Sequence, residues 1–289
     1  MSKKTIYFKS PNSLINQLKQ RDDIQVLKEQ GFISSLFKKK VYPDIYFHSN
    51  TLDEKAIDYI LNSKFIITNS FSSMNQIIAK TKISHEKIKV IYPSVDTEYK
   101  KPKELKQVYL EEFAIQESTK LLFFTAKNFK TSGIKEFLDI ASNLSYPDFK
   151  AIIAGSKQQM NVLNFILTKY PKLEGKLILL ENYKKLDDIF LISDVFILPT
   201  YNKLFASTII KAMFCKCLVF VSLENDAKEI VDVYASMDSP TDPSTAFKID
   251  AVLYDENELK KIKKENRKIG KEASLQSNLE KLEAILVNI

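Results

Sequence analysis

The sequence predicts an α/β protein of two lobes, each a parallel sheet with flanking helices, the N-terminal lobe being truncated. Three observations carry this. Short apolar, β-rich runs alternate with helical patterns from end to end. The runs are nearly continuous in apolar residues, as in strands buried on both faces. The alternation breaks at a polar passage rich in lysine and proline and then restarts.

In chain order, the first lobe offers strands at Thr5–Phe8 (TIYF), Asp44–His48 (DIYFH), Phe65–Thr68 (FIIT) and Lys89–Tyr92 (KVIY). The passage from Pro93 to Lys106 reads as a linker, which puts the lobe boundaries at 1–100 and 101–289. Beyond it, strands are expected at Lys120–Ala126, Phe149–Gly155, Lys176–Glu181, Asp194–Pro199 and Cys217–Ser222. Between the first two of these, Ile134, Phe137, Leu138, Ile140, Ala141 and Leu144 form a one-sided helical stripe. The closing segment, ELKKIKKENRKIGKEASLQSNLEKLEAIL, reads as long, charged helix, and no solenoid repeat is present.

Composition narrows the function. With 289 residues, 45% of them hydrophobic, the chain has ample material for a large core. No run reaches the ~18 uninterrupted apolar residues of a membrane span, and the opening MSKKTIYFKS lacks the apolar stretch of a signal peptide, so a cytoplasmic location is expected. Cys215 and Cys217 flank one lysine, and on a helix such a pair points in different directions, so both are expected to be reduced packing residues. His48 and His85 are the only histidines, and no metal is expected.

The net charge of +7 is spread over runs such as FKKK, KKPKELK and LKKIKKENRK. These are either solvated helix faces or surfaces for an anionic partner, whether inner-leaflet lipid or phosphorylated sugar. Zinc-finger spacing, ribonucleoprotein aromatic motifs and basic-region heptads are missing, so no nucleic-acid partner is expected.

In doubly wound sheets ligands sit beyond the carboxyl ends of the strands, which directs attention to the loops after Ala126, Gly155, Pro199 and Ser222. In TAKNFKTSG, Lys127 and Lys130 stand just before a helix expected to start near Ser132; cations and free helix amides together suit an anion. Gly155 and Ser156 form a short turn that either admits a ligand to the backbone or serves as simple turn chemistry. Glu229 is expected in the first turns of a helix after the last strand, as dipole compensation or ligand contact.

These segments, in this order, resemble the C-terminal lobe of retaining GT-B glycosyltransferases of the family 4 (glycosyltransferase group 1) type. FFTAKNFKTSG stands where the family has a strand ending in Gly-Arg followed by Lys-Gly, and AIIAGS where it has a second strand ending in Gly. DVFILPTYNKLFASTIIKAM resembles its Asp-Val-Phe-Leu-Pro-Ser, Glu-Gly-Phe-Gly and Glu-Ala-Met segments, and CLVFVSLENDAKEIVD its strand and helix with a late glutamate. Upstream, IKVIYPSVDTEYKKP is similar to the Val-Ile-Pro-Asn-Gly-Val-Asp-Thr segment and FIITNSFSS to the strand before it; the likeness runs roughly from Asp44 to the C-terminus.

The resemblance implies two Rossmann-like lobes, a nucleotide-diphospho-sugar as donor substrate with no separate cofactor, and a glycan or lipid-linked acceptor. It assigns the donor diphosphate to Lys127 and Ser132, with Lys130 as a substitute two residues early, and donor contacts to Gly155, Ser156 and Glu229. It places His48 at a cleft histidine; read from the sequence alone, a histidine after a strand serves equally as a capping or packing residue. The departures are equally specific: Lys203 and Lys211 occupy the positions of the paired glutamates, and Leu204 and Ala206 replace both glycines of the turn. A lysine offers three donors and no acceptor, so it cannot do a carboxylate's work. Two readings therefore stay open. One is a transferase in which His48, Lys203 and Lys211 serve the chemistry, with basic faces meeting an acceptor at the inner face of the membrane. The other is an inactive relative that binds or scaffolds a protein partner.

Overall fold

A computed structural model describes residues 3–28 and 40–289; of the FKKK run, Phe37 to Lys39 lie outside the described residues. The chain divides into two units, 1–96 with 272–289, and 97–271.

In the first unit the elements run β1 (Lys4–Phe8), α1 (Ser13–Leu18), β2 (Ile24–Val26), β3 (Ile45–His48), α2 (Glu54–Asn62), β4 (Phe65–Thr68), α3 (Phe71–Thr81) and β5 (Ile88–Val90). The strands form one parallel sheet in the order β2-β1-β3-β4-β5. Strand alternation sorts the core by face. Ile6, Ile45, Phe47 and Ile67 meet Leu14, Ile15 and Leu18 of α1 together with Leu282, Ile285 and Leu286 near the C-terminus. Tyr46, Ile66 and Ile88 meet Tyr59, Ile60 and Ile77 on the other face. Asp44 precedes β3 rather than starting it, and its carboxylate accepts from the Thr5 amide (2.7 Å) and hydroxyl (2.8 Å), which fixes β3 against β1. Strand β2 is absent from the expected set because three residues, Ile-Gln-Val, are too few to show a period.

The second unit runs α4 (Pro102–Tyr109), β6 (Lys120–Thr125), α5 (Ile134–Ser142), β7 (Phe149–Gly155), α6 (Lys157–Leu167), β8 (Leu177–Glu181), α7 (Leu186–Ile192), β9 (Val195–Leu198), α8 (Ser207–Phe214), β10 (Leu218–Ser222), β11 (Ser236–Met237), α9 (Thr245–Tyr254) and α10 (Glu256–Glu272). Its sheet, also parallel, has the order β11-β10-β9-β6-β7-β8. Leu121 to Phe124 of β6 are all fully buried, as their unbroken apolar run requires. Phe123 packs edge-on against Phe190 and Phe196 at 4.9 and 5.6 Å between ring centroids.

Four expectations change. The 93–106 passage is a linker only in part, because Pro102 starts α4 with its ring at the first turn, where a missing N–H costs nothing. The closing segment is two helices: Ser274 interrupts it by capping α11 (Leu275–Leu286), and Val95 bridges to Ser274. From Glu272 onward the chain folds with the first unit, so the second lobe does not extend to 289. Cys215 and Cys217 lie past the end of α8 and are fully buried free thiols; burial pushes Cys215 up to about 12 and Cys217 well above the ordinary value. Among the described residues no helix is long and apolar enough to cross a membrane.

Candidate functional site

The second sheet has its topological switch between β6 and β9: from β6 the chain moves on to β7 on one side, from β9 to β10 on the other. At such a point the two loops diverge and leave a crevice outside the carboxyl ends of the strands. Here the loops are 126–133 after β6 and 199–206 after β9.

A short network joins them. The Tyr201 amide donates to the Thr131 carbonyl at 3.0 Å, the Thr200 hydroxyl reaches the same oxygen at 3.3 Å, and the Asn202 amide group donates to both the Thr131 carbonyl and its hydroxyl at 3.3 Å. Gly133, with φ of 84°, precedes α5 and sits against the Pro199 carbonyl so closely that an added Cβ would lie 1.9 Å from that oxygen. Only glycine meets both demands.

A third loop locks the second. Asn225, at 1% exposure, donates to the carbonyls of Asn202 and Leu204 at 2.8 Å and accepts from the amides of Ala206 and Ala227 at 3.2 and 3.0 Å. The Asp226 amide donates to the Lys203 carbonyl at 2.8 Å, and the Ser222 hydroxyl to the Thr200 carbonyl. Four bonds from one buried side chain make Asn225 the rivet of the turn at 202–206. The sequence reading missed it; an asparagine three residues past a strand end was the available signal.

On this platform Lys127, Lys130 and Lys203 are exposed, and among the described residues none of the three ammonium groups has a hydrogen-bonding or ionic partner. Ser132 is buried, with its amide on the Asn128 carbonyl at 3.1 Å, and α5 begins at Ile134 rather than near Ser132. The structure thus brings Lys127, Lys130, Ser132 and Lys203 onto adjoining loops.

The remaining predicted residues are placed differently. Gly155 is the seat on which the β6 loop rests: an added Cβ would lie 2.5 Å from the Phe129 ring. Ser156 caps α6 in a reciprocal box with Gln159, whose amide group also donates to the Ala126 carbonyl at 3.0 Å. Both residues therefore shape the lysine loop from below. Glu229 is exposed on a 3-10 turn, Asp226–Ile230, where a full helix had been expected; the turn starts at the Asn225 cap.

Lys211 has a partner. Its ammonium sits 2.6 Å from the Asp187 carboxylate, whose second oxygen accepts from the Thr97 hydroxyl at 2.9 Å. The next residue, Asp188, accepts from Lys100 and from the Tyr109 hydroxyl, both at 2.8 Å. Burial pushes the Asp188 carboxyl up, but these two donors outweigh it and hold it below the ordinary range. His48 belongs to the first unit, at the end of β3, with Nδ1 3.4 Å from the Tyr46 hydroxyl. Burial pushes its pKa down to about 4, so the imidazole is neutral at pH 7. His85 is exposed on a 3-10 turn.

Comparison with solved structures gives the same two-lobed fold. Anabaena HepE bound to UDP is 13% identical over all of both chains, with a TM-score of 0.76. A glycosyltransferase from Rickettsia africae is 16% identical over 98% of this chain and 89% of that one, with a TM-score of 0.71. Sucrose-phosphate synthase from Thermosynechococcus elongatus is 13% identical over 98% and 73%, with a TM-score of 0.68. Comparison with curated proteins finds no match. The family model for glycosyl transferases group 1 matches residues 106–269, which is more than half of the chain and takes in all three loops of the site. With its GT-B architecture of two Rossmann-like lobes, this chain belongs to the glycosyl transferases group 1 family.

Proposed function

We propose that the chain transfers a sugar from a nucleotide-diphospho-sugar to a glycan or lipid-linked acceptor, with retention, the donor diphosphate lying in the crevice beyond β6 and β9. The observation that carries this reading is the set of unpartnered ammonium groups of Lys127, Lys130 and Lys203 on loops held rigid by Asn225, Gly133 and the Thr131 network. As the bond from the anomeric carbon to the diphosphate oxygen breaks, negative charge grows on the leaving nucleotide. Fixed cations beside it stabilise that charge without a further group. As its oxygen bonds the anomeric carbon, the acceptor hydroxyl passes its proton to the departing diphosphate oxygen on the same face of the sugar. His48, being neutral, contributes by hydrogen bonding rather than by charge in this reading. Structures of Anabaena HepE with UDP and with UDP-glucose support a uridine nucleotide as the first donor to try. The acceptor is met at an anionic inner membrane face by the chain's basic surfaces.

A second reading, a protein that binds the nucleotide or a protein partner without transferring sugar, is favoured by one observation: Lys211 stands paired with Asp187 where the resemblance calls for a carboxylate. Calorimetric titration with UDP, GDP and UDP-glucose, followed by incubation with radiolabelled UDP-glucose and a lipid extract, tests both. Nucleotide binding with label transferred to lipid or glycan supports the transferase. Binding without transfer or donor hydrolysis supports the second reading; absence of binding to any nucleotide sinks the transferase and leaves the protein-partner form of the second reading.

A further inference from the structure

The opposite, amino-terminal edge of the same sheet carries a second basic cavity. Helix α10 is tied to the starts of β6, β9 and β10: Lys263 pairs with Asp194 at 2.8 Å, Glu256 with Lys120 at 3.1 Å, and the Asn266 amide group donates to the Cys217 carbonyl at 2.8 Å. The resulting cavity of about 500 Å³ is lined by five lysines against two carboxylates. The carboxylates are already engaged, Asp194 by Lys263 and by the Leu121 amide at 3.0 Å, Glu256 by Lys120 and more distantly by Lys260 at 3.4 Å. Lys264 has no hydrogen-bonding or ionic partner among the described residues, and Lys216 meets only the Tyr99 ring, 5.6 Å from its centroid.

Lys216 adds a second indication. It follows the C-cap Cys215 with φ of 66°, a left-handed position that glycine would fill without strain. A lysine there accepts backbone strain and raises the excess of cations over carboxylates on this wall from two to three. Like charges gathered in a concavity repel one another, and an oxyanion would convert that repulsion into attraction. The depth of the site, with Lys120 and Lys263 largely buried, suits a discrete group rather than a flat surface.

We propose that this cavity binds a phosphate group, carried by a soluble metabolite or by an anionic lipid headgroup, through Lys216, Lys260 and Lys264. It lies the length of β6, six residues or about 20 Å, from the crevice at the carboxyl edge, so its occupant does not compete with a donor nucleotide. The inference stands whether or not the crevice binds a nucleotide sugar.

Calorimetric titration of the full chain with inorganic phosphate at low ionic strength tests it. Replacing Lys216→Gln together with Lys264→Gln is expected to weaken phosphate binding at least tenfold. The exposed pair Lys169→Gln with Lys172→Gln, which removes the same charge elsewhere, is expected to leave that binding within twofold. Flotation with phosphatidylcholine vesicles containing phosphatidic acid separates the two sources. Capture that the 216/264 variant loses assigns a lipid headgroup, whereas phosphate binding without capture assigns a soluble ligand. The proposal is overturned if wild-type chain shows neither phosphate binding nor vesicle capture, or if the 169/172 variant loses as much as the 216/264 variant.

Discussion

Two neighbouring parts of the second unit treat lysine in opposite ways. At the carboxyl edge of the sheet, Lys127, Lys130 and Lys203 rise from loops whose backbones are bonded to one another, and their ammonium groups have no partner among the described residues. At the start of α7, Asp187 and Asp188 take up Lys211, Lys100, the Thr97 hydroxyl and the Tyr109 hydroxyl. Rigid backbone beneath unpaired charge describes a surface kept for a ligand, whereas paired charge describes a joint that holds helices together. Position 211, eight residues beyond Lys203, belongs to the joint. The doubled lysine of this segment is therefore two different things.

The comparison breaks most completely at Gly133. Gly133→Ala puts a methyl 1.9 Å from the Pro199 carbonyl oxygen at a φ of 84°, so the β6 and β9 loops must part. A loss of roughly 3 kcal/mol or more in urea denaturation is expected, together with loss of nucleotide binding. Next in size is the joint. Asp188→Ala leaves the Tyr109 hydroxyl, in a residue only 2% exposed, without its acceptor, and a cost of about 2 kcal/mol is expected with nucleotide affinity kept. The pH dependence has a definite sign. Because the folded pKa of Asp188 is depressed, its contribution is fully present above the unfolded value near 4 and is lost as pH falls through the folded value. Thermal midpoints measured from pH 6 down to 2 should show a shallower acid limb in Asp188→Asn than in the wild type.

The strands of the second unit were legible because β6, β7, β9 and β10 are largely buried on both faces and therefore nearly continuous in apolar residues. The two missed strands, Ile24–Val26 and Ser236–Met237, are edge strands too short to display a pattern. Lys127 and Lys130 could be placed at the crevice because they follow a readable strand and precede a readable helix. The roles of Gly155, Ser156 and Asn225 could not be read, since each depends on what a neighbouring loop brings to it: the Phe129 ring, the Gln159 side chain, the carbonyls of 202 and 204. The pairing of Lys211 with Asp187 spans 24 residues and two helices, a separation that no local pattern encodes.

On the ligand side, Lys127→Ala is expected to weaken UDP binding by roughly 1 to 3 kcal/mol in calorimetry while the urea midpoint stays unchanged, because an unpartnered surface cation supports nothing in the fold. The finest discrimination comes from the smallest effect. A double-mutant cycle of Lys211→Gln and Asp187→Asn should give a coupling of about 0.5 to 1 kcal/mol in stability, since both side chains are partly exposed at 30% and 42%. The single changes should leave UDP affinity within twofold. If Lys211→Gln instead lowers that affinity tenfold with no coupling to Asp187, then the ammonium reaches the nucleotide, and position 211 moves from the joint to the ligand surface along with Lys203.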